Sequence, residues 1–192
     1  GEPCTAAEDD AQLALIEALA PTPVFYTPGD NEWTDCDRFK DPTTGQPQSE
    51  LTRLAHLRAL FFAEPPHAPD AMQVKSQRLQ EENLTWVYAG VRFVTLNVAA
   101  TSNGRSEIAG DNPALAGAEA DRRDIADLAW LLKAVALAKQ ENAGALVIAM
   151  QADMTDVAAS VLGRPARKHA THSSPCVARC AMRRRHLAGR LC

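Results

Sequence analysis

An α/β fold is predicted for this chain, and three observations carry the prediction. Stretches with apolar residues at helical spacing alternate with short β-branched and aromatic runs. One of those runs, Ala145 to Met150, is unbroken, as expected of a strand buried on both faces. Polar residues gather where three of the runs end: Asp30 to Glu32, Asn97, and Gln151 with Asp153. With 192 residues, 46% hydrophobic and 23% charged, the chain is long enough for one domain with a proper core. That composition is neither disordered nor membrane-spanning, and no apolar run reaches transmembrane length.

The elements follow in order. Thr5-Ala6-Ala7-Glu8 reads as a capping box, opening a helix with Leu13, Ile16 and Leu19 at helical spacing, and Pro21 and Pro23 end it. Val24 to Thr27 reads as a strand that stops at Pro28-Gly29. Residues 37–48, rich in Asp, Pro, Thr and Gly, form a loop. Leu51, Leu54, Leu57 and Phe61 define a second helix, stopping before Pro65-Pro66. Residues 63–82 read as a long irregular excursion. Two strands, 84–89 and 91–98, are joined tightly at Gly90, and 101–104 is a loop. Asn112-Pro113 opens a long helix to about Asn142, with Ile125, Leu128, Leu132 and Val135 on one face. Gly144 closes it, and the 145–150 strand follows.

A strand, a glycine turn and then oxygen-bearing side chains is where open α/β sheets place ligands. Asp30, Asn31, Glu32 and Asp35 are hard oxygen donors that suit a divalent cation and a phosphate better than a thiolate site does. Blander roles stand beside these. Asp30 and Glu32 suit turns, Asn97 can cap the loop after its strand, and Gln151 and Asp153 can satisfy backbone groups at a strand end. Trp33 reads as packing beneath the turn. Arg38 can meet a phosphate or sit in a solvated salt bridge. Gly110-Asp111-Asn112 reads as a helix N-cap turn.

Charge divides the chain unevenly. All 24 acidic residues and 12 of the 20 Lys and Arg lie in 1–162, a net of −12; residues 163–192 carry the other 8 basic residues and no acid. The acidic body argues against a nucleic-acid partner, leaving only the tail for that role. The division is therefore a domain at 1–162 and a basic tail at 163–192, outside the fold. Cys176 and Cys180 with His169, His172, His186 or Cys192 offer a weak zinc pattern. A non-native continuation, such as a shifted reading frame, accounts for the composition better.

The run Pro28-Gly29-Asp30-Asn31-Glu32-Trp33-Thr34-Asp35-Cys36 resembles the signature of a bacterial, mostly exported branch of the calcineurin-like metallophosphoesterases. The likeness extends over most of 1–156. It takes in Cys4, the rhythm from Leu54 to Phe62, the strand from Val91 toward Ser102-Asn103, and the apolar strand into Gln151-Ala152-Asp153. The resemblance implies a sandwich of two mixed sheets flanked by helices, and a pair of divalent metal ions that clamp a phosphate ester for hydrolysis. It places Asp30, with Glu32 and Gln151, among metal ligands, and Asn31 and Asn97 at catalytic positions where relatives often carry His. Arg38, on its own chemistry, is the candidate to bind the substrate phosphate. Relatives also carry upstream Gly-Asp motifs and a downstream Gly-Asp-x-His turn that this chain lacks, so it reads as the middle of such an enzyme. The resemblance further implies a secreted or periplasmic protein and a Cys4–Cys36 disulfide; the alternative is two free thiols.

Overall fold

The computed structural model describes residues 4–106 and 108–153. Expectations for 154–192, the basic tail and its zinc pattern among them, fall outside the described residues. The order is α1 (Ala6–Ala18), α2 (Glu50–Phe61), β1 (Lys75–Gln77), β2 (Gln80–Tyr88), β3 (Val91–Thr95), α3 (Ala100–Gly104), α4 (Pro113–Gln140) and β4 (Ala145–Ala149). The strands form one mixed sheet in the order β1-β2-β3-β4, antiparallel except for the β3–β4 pair. This is the α/β class expected. The described residues hold one sheet rather than the two of a sandwich.

Local chemistry accounts for the boundaries. Thr5 accepts from the Glu8 amide and Ser49 from the Thr52 amide, while Asn112 accepts from Ala114 and Leu115 ahead of Pro113. The β2–β3 hairpin turns on Ala89 and Gly90, both at positive φ, the geometry a two-residue turn requires. A parallel β4 needs a long crossover, and α4 supplies it. Val94, Leu96 and Val98 pack against Trp130, Leu131 and Ala134 of α4 to make the main core.

Five expectations are corrected. Residues 101–104, expected as a loop, coil into the short α3, where Asn103 accepts the Ala99 amide and donates to Asp124. Residues 24–27 pair with no strand among the described residues. Rings hold the segment instead: Phe25 stacks on Trp86 at 3.7 Å, and Tyr26 lies against Phe61 and Phe62. A β-prone stretch becomes a strand only where a sheet edge lies alongside. The excursion at 63–82 contains β1 and the start of β2, whose polar residues hide their pairing from any apolar count. The buried face of α4 is not the one predicted, since Ile125 is 72% exposed while Arg123, Asp124 and Asp127 are buried. Hydrogen bonding makes a polar face buriable, which hydrophobic periodicity cannot register. Finally, β4 is an edge strand with Val147 and Ile148 exposed, because no described element covers it.

Candidate functional site

The 29–36 turn is built from its own side chains. The Gly29 amide donates to Glu32 Oε2 at 2.7 Å, and the Asn31 amide donates to Asp30 Oδ1 at 2.9 Å. The Asp30 carbonyl accepts from both Trp33 and Asp35. Trp33 is fully buried beneath the turn with Leu54, Leu57 and Ala99, the packing role its sequence suggested. The Arg123 guanidinium lies 4.6 Å from its ring centroid. Gly104 is required at the same place: it has positive φ, and a Cβ there would sit 3.2 Å from the Trp33 ring.

Two further ties anchor the turn. Cys4 and Cys36 form a disulfide with Cα atoms 5.7 Å apart, and the Asn31 carbonyl oxygen lies 3.3 Å from Cys4 Sγ. Arg53 of α2 makes a two-pronged pair with Asp9 of α1, at 2.8 and 2.9 Å, and donates to the Glu32 carbonyl at 3.1 Å. Asp9 also meets His56 Nε2 at 3.1 Å. A cleft of about 460 Å³ opens beside this group, with Asp41, Thr52, Arg53 and His56 on its wall. Burial, with the charges of Glu32 and Asp9 adding to it, raises the Tyr26 hydroxyl above its usual range.

Gly29 approaches Gln151 at the carboxyl end of β4. A Cβ on Gly29 would stand 2.9 Å from Glu32 Oε2 and 3.0 Å from Gln151 Cγ, so a larger residue would push these side chains aside. Gln151 Oε1 accepts from the Ala100 amide at the start of α3, at 2.7 Å. The turn, the end of β4 and the start of α3 therefore meet at one place. Asn97 lies on the neighbouring strand end but is fully buried. Its amide donates to Asn83 Oδ1 and its side chain to Glu82 Oε1, at 2.7 and 2.9 Å, leaving Asn97 Oδ1 without a partner. Asn31 is exposed, and Arg38, half exposed, pairs with Asp35 at 2.7 Å.

As arranged, these donors do not fit a resident pair of cations. One Glu32 oxygen closes the turn, Gln151 oxygen is taken by α3, and Asn97 points inward to Glu82. Among the described residues, no three His, Cys, Asp or Glu side chains gather at metal-binding spacing.

Sequence reasoning missed a buried polar network that joins β2, α2, α3 and α4. Glu82 takes two bonds from Arg58, at 2.9 and 2.6 Å. Asp127 accepts from Asn83 and Gln80, and Asn103 donates to Asp124. Burial, with the Glu82 charge adding, pushes the Asp127 carboxyl up to about 7 despite the Asn83 hydrogen bond. Burial likewise lowers Arg123 to about 10. The available signal was Gln80-Glu81-Glu82-Asn83 running directly into a strand, with Arg123 and Asp127 one helical turn apart.

No helix among the described residues is long and apolar enough to cross a membrane. Compared with known proteins, the chain matches no family model, no curated protein and no solved structure.

Proposed function

We propose that this chain is a metallophosphoesterase-type domain, a portion of an exported enzyme that hydrolyses phosphate esters. Its substrate-facing surface is the junction of the 29–36 turn with Gln151 and the start of α3. The observation that supports this reading is the close seating of Gly29 on Gln151 at the carboxyl ends of the parallel β3–β4 pair. Open α/β sheets hold their ligands outside the carboxyl ends of strands. In that reading the full sandwich, and the two divalent cations that such chemistry uses, need protein beyond these residues. Asp30 is the side chain of this chain best placed to face the ester, being half-buried at the head of the turn.

A second reading has a specific observation in its favour. Glu32, Gln151 and Asn97 are each held in structural hydrogen bonds, as in an inactive remnant that serves as a binding or structural module. A chromogenic phosphodiester assay with added Mn²⁺, Zn²⁺ or Mg²⁺, run on the longer protein that carries this chain and on its Asp30→Ala variant, separates the two. Metal-dependent turnover lost in Asp30→Ala is the outcome expected of the first reading. A folded longer protein that binds none of these cations and turns nothing over rejects it for the second.

A further inference from the structure

Away from that junction, four carboxylates meet where the 36–38 turn, the start of α2 and the segment 108–111 come together. Asp37 accepts the Ala109 amide at 2.9 Å, so it holds the segment from one side. Asp111 accepts the Ser49 hydroxyl at 2.6 Å and the Leu51 amide at 3.2 Å, which fastens the segment to α2. Gly110 lies hard against the Gln48 backbone, where a Cβ would fall 1.9 Å from the carbonyl oxygen. Glu50 stands between Ser49 and Leu51 and is 2% exposed. One oxygen of Glu50 and one of Asp37 are buried without any hydrogen-bond partner. Asp35 belongs to the same group, with Arg38 paired to it. Arg123, reaching in from α4, is the cation that acts on Glu50.

Two buried carboxylates with unmet oxygens repel one another and cannot both stay charged without compensation. We propose that this junction is a proton-operated latch, in which a neutral Glu50 seats 108–111 against the start of α2 and its ionisation releases the segment. Burial, with the charges of Asp37, Asp111 and Asp35 adding to it, pushes the Glu50 carboxyl up to about 8, against the pull of Arg123. An acid raised on closing stabilises the closed form fully below its open-state value of 4.5, and that contribution is lost as pH rises toward 8. The latch therefore weakens by up to about tenfold per pH unit over that range, then levels off. Because 108–111 runs into the cap of α4, and Asp37 directly follows the disulfide-bonded Cys36, the latch sets how firmly three elements are joined.

The reporter amides are Ala109 and Leu51. Hydrogen-exchange protection factors, already corrected for intrinsic rates, are expected to fall about tenfold per unit from pH 6 to 8 in the native chain. In Glu50→Gln, which carries no charge at any pH, they should stay flat. A matching fall in Glu50→Gln, or flat protection in the native chain, overturns the latch. Should Glu50→Gln not fold, carbon-13 carboxyl titration of the native chain decides instead. One Glu should titrate far above the others, and Asp37→Asn should move it to lower pH. If every Glu titrates below about pH 6, the proposal is wrong.

Discussion

Arg53 shows how one side chain can organise a region. Its guanidinium pairs with buried Asp9 and also holds the Glu32 carbonyl, so α1, α2 and the 29–36 turn share a single anchor. Removing it leaves a carboxylate that is 6% exposed with only His56 beside it. Arg53→Ala is expected to lower stability by about 3–5 kcal/mol, because an unpaired buried charge costs far more than a pair is worth. Chemical denaturation checks it, and Asp9→Ala in the same background should recover part of the loss. Neither partner stood out in the sequence. Asp9 sits within a helix opening and Arg53 within an amphipathic helix, and nothing local says that they meet. Gly29 differs: its place at a turn was legible, whereas its contact with Gln151, more than a hundred residues away, was not.

Among the elements, α1 contributes few buried side chains and depends on its ties. The Cys4–Cys36 disulfide closes a loop spanning 32 positions, which in the chain-entropy account contributes about 3–4 kcal/mol. Cys36→Ser, or reduction, should therefore lower stability by roughly that amount. Amides of α1 should exchange sooner than those of α4, as hydrogen-exchange mass spectrometry can test. At the opposite extreme lies β4, apolar and exposed at the sheet edge with neither charge nor proline along it. Natural edges are generally blunted or covered, and this one is neither among the described residues. Its existence and length were readable from an unbroken apolar run. Its exposure was not, because the run records what a strand can bury and not what lies beside it.

Across the whole molecule, the unusual feature is a core that is partly ionic. Gln80, Glu82, Asn83, Asn97, Arg123 and Asp127 are each no more than 1% exposed. Asp127 is raised from 3.8 to about 7, so its folded form keeps a proton that the unfolded chain releases. Its stabilising contribution is thus complete below about pH 4 and declines as pH rises toward 7. Between pH 5 and 7 this one group should remove about 2 kcal/mol. Urea denaturation of the native chain and Asp127→Asn over that interval should show a shallower slope in the variant. Glu50 acts in the same direction and is present in both chains, so the difference belongs to Asp127.

Taken alone, the sequence determined the three longer helices and their caps, the hairpin at Ala89 and Gly90, the apolar strand after α4, and a tight turn at 29–36. Each of these is written within a few neighbouring residues as spacing, caps and turn chemistry. Tertiary structure alone decided that 24–27 packs by its rings, that α4 buries Arg123 and Asp127 while Ile125 faces water, and which oxygens near Gln151 are already engaged. These outcomes depend on partners brought together from distant parts of the chain. A polar side chain becomes a core residue only when its hydrogen-bond partner arrives from elsewhere, and no local pattern records that arrival.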